Sequence, residues 1–337
     1  MAYPVRTGVS YFSSRDLRHV RSDFEDIKRH RCDFVVLTYS EEDLRFYRQR
    51  MNEIVALAHD LGLSVHVDPW GVGKVFGGEA STILVAEHPQ THQLDAVGQP
   101  LPAACPNHPQ FRAYLDEWLQ AAAESKADYC FWDEPHFYVM DEKPPLRRWG
   151  CFCAICQERF QARYGRSMPR QEHEDVIAFR EESLIELIEL FSQKARQLGM
   201  QNNLCLLPFD DGIVGVKRWE RFAMNASLDI IGTDPYWGPD PKNLVKRVQP
   251  FAQKVAQVAK QASKEVQFWV QNVYVRAGDE ATIEQALQIA WDAGVRNFAA
   301  WSYYGTAPMT LLSCGDPAKT WDTLGRVYER FKAMESR

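Results

Sequence analysis

Residues 130–137 read CFWDEPHF, and Asp133 and Glu134 stand side by side at the end of an apolar run, stopped by Pro135. Charged side chains at the end of a buried strand cost free energy unless something uses them. An ionised Asp133 close to Glu134 raises the pKa of the glutamate and keeps it protonated near neutral pH, the state a general acid needs. The pair therefore predicts acid–base chemistry, with Glu134 as the donor and Asp133 as its charged neighbour.

Cysteine is the second residue type that carries chemistry. Eight cysteines in 337 residues do not make a disulfide scaffold. Four of them are grouped: Cys105, then Cys151, Cys153 and Cys156 in WGCFCAICQERF. The spacing fits a four-thiolate, tetrahedral zinc site, and four protein ligands leave no open position, so the zinc is expected to be structural. It would pin two long loops to each other across residues 100–170. Cys32, Cys130, Cys205 and Cys314 lack a close cysteine partner and read as buried thiols.

Eight short apolar runs must position these groups: Thr7 to Phe12, Asp33 to Tyr39, Ser64 to Trp70, Tyr129 to Glu134, Asn203 to Phe209, Asp229 to Trp237, Gln267 to Tyr274 and Asn297 to Tyr304. Each is nearly continuous in apolar residues, as parallel strands buried on both faces are. Helical spacing fills the stretches between, clearly so from Leu184 to a stop at Gly199. Eight such units predict one (β/α)8 TIM barrel over residues 1–337, with no internal repeat or linker. The connections after strands three and four are each about forty residues long, and long connections in a compact domain are usually functional. Both follow strands and so fall on the C-terminal face, where barrel enzymes keep their chemistry.

The same face gathers Asp68 and Trp70, Asp133 and Glu134, Asp210, then Asp234, Tyr236 and Trp237, then Gln271 and Tyr274, then Trp301 and Tyr303. An acid-lined, tryptophan-rich cup suits a sugar: aromatic faces stack on pyranose C–H groups and carboxylates accept from hydroxyls. A carbohydrate substrate is the expected partner. The net charge of −6 argues against nucleic acid and anionic membrane. No run reaches the roughly 18 apolar residues of a membrane span. The start shows no signal-peptide pattern, so a cytoplasmic protein is expected. A homo-oligomer is left open.

The stretches CPNHPQFRAYL and GCFCAICQERFQARYG resemble the zinc-binding loops of the barrel β-galactosidases of glycoside hydrolase family 42. There, one Cys before Pro-Asn is followed about 45 residues on by C-x-C-x-x-C. The likeness implies that Glu134 takes the place of the proton-donating glutamate on strand four, with Asp133 replacing the usual Asn. It fails on strand seven. The resemblance implies a nucleophilic glutamate there, but the stretch reads FWVQNVYV, with Gln271 or a close neighbour at the matching position. An amide cannot form a glycosyl-enzyme ester, so the galactosidase mechanism does not carry over.

Three sources of the missing group remain. A carboxylate such as Asp234, Asp210 or Asp211 can hold a water for inversion. Gln271 can stand where a nucleophilic Glu has been replaced. Or a 2-acetamido sugar supplies its own acetamido oxygen. An adjacent Asp-Glu at the end of strand four resembles the substrate-assisted β-N-acetylhexosaminidases. The expectation is such an enzyme, with β-N-acetylgalactosaminides slightly favoured. Tyr236, Tyr274 or Tyr303 would donate to the acetamido oxygen, and Trp237, Trp269 and Trp301 would box its methyl group. A glycosidase without the acetamido requirement and a catalytically inactive glycan-binding barrel are the alternatives.

Overall fold

The computed structural model describes residues 3–140, 148–307 and 310–335. Eight parallel strands close into a barrel: β1 (Arg6–Tyr11), β2 (Phe34–Thr38), β3 (Ser64–Asp68), β4 (Tyr129–Asp133), β5 (Gln201–Leu206), β6 (Ile230–Thr233), β7 (Glu265–Gln271) and β8 (Asn297–Trp301). Each pairs with its sequence neighbours, and β8 returns to β1 through the register Gly8 to Ala299. A helix follows each strand, and the first shows why. Leu17–Arg29 is capped by the Asp16 carboxylate and buries Val20, Phe24 and Ile27 on one stripe. This is the (β/α)8 barrel the apolar runs predict.

Strand alternation sorts the side chains into two cores. Val35, Leu37, Val67, Trp132, Leu204 and Val270 point outward, into the large core under the helices. Phe34, Val36, Phe131, Cys205, Trp269 and Ala299 point inward and fill the barrel. Below this apolar layer lies a polar one. Asn203 Nδ2 donates to Gln267 Oε1 (2.8 Å), Gln267 Nε2 to Asn297 Oδ1 (3.1 Å), and Asn297 Nδ2 to Glu265 Oε1 (2.6 Å). Glu265 is paired in turn with Arg6 at 2.6 Å. Above the apolar layer, the next inward positions are Asp68 and Asp133 at the ends of their strands.

Several strands stop earlier than the apolar runs suggest. β6 ends at Thr233 rather than Trp237, β7 at Gln271 rather than Tyr274, and β8 at Trp301 rather than Tyr304. Beyond these points the chain turns. Tyr236 N bonds back to Asp234 O at 2.7 Å, and Tyr274 and Tyr304 take left-handed φ angles of 57° and 49°. The long connections hold structure of their own. His92–Leu94 pairs with Pro100–Ala104, Val139–Met140 pairs with Arg148–Trp149, and Ala154–Tyr164 is helical.

Candidate functional site

The barrel's C-terminal mouth holds a cup of about 80 Å³, lined by Asp68, Gly78, Glu79, Phe131, Asp133, Glu134, Cys205, Asp234, Tyr236, Trp269 and Trp301. Asp133 comes from the same inward alternation as Phe131, and its register partner on β5 is Cys205. Glu134 comes next, with its N–H on Cys205 O (3.0 Å) and a left-handed φ of 42°. A non-glycine residue held there carries strain on the order of 1 kcal/mol, of the kind that gathers at functional positions. The turn swings the glutamate into the cup beside Asp133.

The loop after β3 closes over the pair. Gly77 N donates to Asp133 O (3.1 Å), and Gly77 O accepts from Gly71 N (2.6 Å). A Cβ on Gly77 would stand 2.4 Å from Asp133 Oδ2 and 2.7 Å from Glu134 Oε2. Only glycine lets the backbone approach both carboxylates this closely. Glu41, itself buried, ties the loop down by accepting from Gly73 N, Thr82 Oγ1 and Leu84 N at 2.7–2.8 Å.

Burial sets the proton affinities. It pushes Asp68 and Asp133 well above the usual carboxylate range, and crowding by neighbouring acids adds to this, Asp133 first for Asp68 and Glu134 first for Asp133. Glu134 is pushed well up by burial, then by the charge of Asp234 and a side-chain hydrogen bond to it. Asp234 is pushed up to about 7, mainly by burial, with the bond from Glu134 acting the other way. Glu134 thus holds the proton and Asp234 accepts from it. Burial comes first in keeping Glu134 protonated, and the neighbour that adds to it is Asp234, just past β6, where the dipeptide pointed to the adjacent Asp133. Tyr236 is also pushed up, chiefly by burial, and stays a hydroxyl donor.

Of the residues singled out in the sequence, Asp68, Asp133, Glu134, Asp234, Tyr236, Trp269 and Trp301 line the cup together. Trp70 stands behind Trp301, with Phe12 stacked between them at 5.5 and 5.2 Å. The others do not reach the cup. Asp210 is exposed and faces Lys254 at 3.7 Å. Trp237 is buried in the outer core, and Tyr274 is turned to the surface. The Tyr303 hydroxyl binds Asp23 and Asp26 at 3.2 and 3.3 Å, on the helix after β1. Gln271 is fully buried: its Nε2 donates to Gly238 O and Val273 O, both at 2.9 Å, and its Oε1 accepts from Gly238 N at 2.8 Å. It clamps the loop after β6. Glu79, Gly77 and Phe12 were missed, although the glycines of GVGKVFGGEA could have pointed to a loop of close approach.

The grouped cysteines do converge. Cys105, Cys151, Cys153 and Cys156 are buried, with sulfurs within 4.8 Å of one another. Cys105 Sγ lies 3.4 Å from Cys156 Sγ and 3.6 Å from Cys153 Sγ. Tetrahedral thiolates at about 2.3 Å from a metal would be about 3.8 Å apart, so the set has room for one ion. Asn107 Nδ2 points at Cys156 Sγ from 3.4 Å, as supporting donors of thiolate sites do. Arg180 lies close by, wholly buried between the rings of Phe137 and Trp149 at 5.0 and 4.7 Å. None of its side-chain nitrogens has a hydrogen-bond partner among the described residues. Burial pushes its pKa down to about 9, while Cys151 and Cys156 act to hold it up.

No family model and no curated protein sequence matches the chain. Solved structures do. The endo-1,4-beta-mannanase of Rhizomucor miehei is similar with a TM-score of 0.61 and 11% identity, over 98% of this chain and 95% of its own. GH5_18 of Bifidobacterium longum subsp. longum follows at 0.59 and 11%, over 98% and 80%. A D-psicose 3-epimerase is similar at 0.50 and 11%, over 98% and 97%. Identities this low establish the shared TIM barrel, and chemistry has to be argued from the site.

Proposed function

We propose that this chain is a glycoside hydrolase, and within that class an exo-acting β-N-acetylhexosaminidase in which the substrate's acetamido group is the nucleophile. The observation that carries this reading is the one-sided placement of the carboxylates. Asp68, Glu79, Asp133, Glu134 and Asp234 come from the ends of β3 and β4, the residues just past β4 and β6, and the loop after β3. The wall from β7 and β8 offers Trp269 and Trp301 and no acid. A sugar seated on those indoles meets acids only on its other side. The strand-seven position is taken by Gln271, whose amide is already saturated.

On this reading the acetamido oxygen bonds to C1 as the C1–O bond to the leaving group breaks. Glu134 gives its proton to the departing oxygen. Asp133, whose ionised form the developing oxazolinium charge favours against the burial that raises its pKa, holds the acetamido N–H, and the Tyr236 hydroxyl donates to the acetamido oxygen. Water then adds to C1, passes a proton to the Glu134 carboxylate, and the oxazolinium reopens with retained configuration. β-N-acetylgalactosaminides are the first candidates, on the likeness of the cysteine loops to those of β-galactosidases.

A panel of aryl glycosides tests this. The 2-acetamido sugars should be cut, the 2-hydroxy sugars should not, and a thiazoline analogue of the oxazolinium should inhibit tightly. Equal cleavage of 2-hydroxy sugars would hand the mechanism to an inverting reaction with Asp234 or Asp68 as base. Sugar binding without turnover would make the chain a glycan-binding barrel.

For the cysteine cluster the same proposal names zinc. Four thiolates around Zn²⁺ leave a net negative charge, which would supply a close counter-charge to buried Arg180, whose side-chain nitrogens have no hydrogen-bond partner among the described residues. The site would be closed and structural. Metal analysis should find one zinc per chain, and Cys153→Ser should lower both metal content and melting temperature. A metal-free protein of unchanged stability would count against it.

A further inference from the structure

A second cavity, of about 420 Å³, opens beside the cup, and Glu134 lines both. It lies between the segment after β4 and the segment after β5. Its walls are mostly apolar: Phe137, Leu207, Phe209, Ile213 and Val214. The walls are tied together, with Phe137 N on Val214 O at 2.8 Å. The far end of the β5 segment is fixed by the buried Glu181 carboxylate, which accepts from Lys217 N and Arg218 N at 3.1 and 2.6 Å. The polar groups in the lining are partly occupied. His136 Nδ1 is 2.7 Å from the Glu134 carbonyl oxygen, and one Asp211 oxygen takes Ile213 N at 2.9 Å.

A general acid must sit at the bond it protonates, between the sugar and the group that leaves. If the cup holds the sugar, the cavity on the other side of Glu134 holds the leaving group. A second sugar there would lose water from its hydroxyls and find few partners in return. A hydrocarbon would lose nothing of that kind. We propose that this cavity is a leaving-group site for an apolar aglycone, alkyl or aryl, so that the substrates are glycosides of hydrophobic alcohols rather than oligosaccharides. The proposal rests on the glycosidase reading above.

The test compares octyl and methyl 2-acetamido-2-deoxy-β-glycosides with the corresponding N-acetyl disaccharide. The octyl compound should exceed the methyl one in kcat/KM by about 10-fold or more, the effect of burying two methylenes. It should also exceed the disaccharide. In Phe209→Ser and in Ile213→Asn the octyl-to-methyl ratio should fall toward one, and a ratio is unaffected by any activity loss common to both. A ratio near one in the unaltered protein, a ratio unmoved by both substitutions, or a preferred disaccharide would overturn the proposal. The glycosyl fluoride, whose leaving group needs no such site, reports the reaction separately. If even the fluoride is not cut, the glycosidase reading falls, and calorimetry with octyl and methyl 1-thioglycosides decides the cavity. Octyl binding that weakens in Phe209→Ser supports an apolar site, and equal or absent binding overturns it.

Discussion

One layer down the barrel, Asn203, Gln267, Asn297 and Glu265 pass hydrogen bonds along a chain that ends in the Arg6 guanidinium. At the mouth, five acidic side chains occupy the cup with no cation among its lining residues. Both layers come from inward positions on the same strands. The floor has open ends, since His66 Nε2 and Asn203 Oδ1 have no hydrogen-bond partner among the described residues, but both are neutral groups. In the cup, Asp68 Oδ1 and Asp234 Oδ1 are buried without hydrogen-bond partners among the described residues. A buried, unmatched carboxylate costs far more than an unmatched amide. The fold spends its polar residues on itself at the floor and leaves them open at the mouth. That is the mark of a site kept for a ligand and maintained at a cost in stability.

The sharpest way to break this contrast is to remove cup charges that the fold does not need. Asp133→Asn should lower kcat/KM on 2-acetamido glycosides on the order of 10²-fold or more, as loss of one preorganised electrostatic contact does. Its melting temperature should hold or rise. Glu134→Gln should hurt most with poor leaving groups, because activated aryl groups need little protonation. Full activity in Asp133→Asn would deny Asp133 its role.

Gln271 sharpens the contrast from the other side, because it sits at the height of the cup yet is satisfied like a floor residue. Gln271→Glu would turn a carboxylate against the carbonyl oxygens of Gly238 and Val273, which now accept from the amide. The loss should be about 2 kcal/mol in denaturant unfolding, the scale of a buried donor removed from its acceptors. No glycosidase activity on 2-hydroxy sugars should appear. Strong activity in this variant would mean that a strand-seven nucleophile had been restored.

What the sequence made legible follows from the same geometry. Asp68, Asp133, Trp269 and Trp301 are inward residues at or near strand ends, where a two-residue period still fixes direction. The cysteines were legible through their spacing. Tyr274 and Tyr303 were not, because past the last ladder bond the turn decides where a side chain goes. The left-handed φ of Tyr274 has no signature in its neighbours. The proton partner of Glu134 was also hidden: Asp234 meets it only because β4 and β6 flank β5 in the closed barrel. Glu79 reaches the cup through a loop whose path depends on what Gly77 packs against.

That packing offers a milder perturbation. Gly77→Ala puts a methyl where the Asp133 and Glu134 oxygens stand, and the carboxylates are the movable party. Opening contacts of 2.4 and 2.7 Å to ordinary distances moves the carboxyl groups by more than half an ångström, which should lower kcat about 10-fold or more through misalignment alone. Melting temperature should stay close to that of the unaltered protein. A variant that unfolds but is fully active when folded would show that Gly77 serves the loop and not the pair.

The smallest effect expected is one of stability, and its sign is what matters. The Asp234 carboxyl has its folded pKa pushed up to about 7, above its unfolded value, so the folded state binds the proton more tightly. The stabilisation from that proton is complete below about pH 4, the unfolded value, and is lost as pH rises through about 7. Above that, the folded protein carries a buried carboxylate among others. Asp234→Asn removes the charge and keeps an oxygen that can accept from Glu134. The variant should be more stable than the parent at pH 8 by on the order of 1 kcal/mol, the relief of charge being partly offset by a weaker bond from Glu134. The gain should shrink to nothing by pH 4, where both side chains are neutral. Melting curves of both proteins from pH 4 to 8 measure this directly. A gain of the same size at every pH would assign the effect to packing. No gain at pH 8 would mean that a cation or water already compensates Asp234, and the contrast between floor and cup would lose its physical basis.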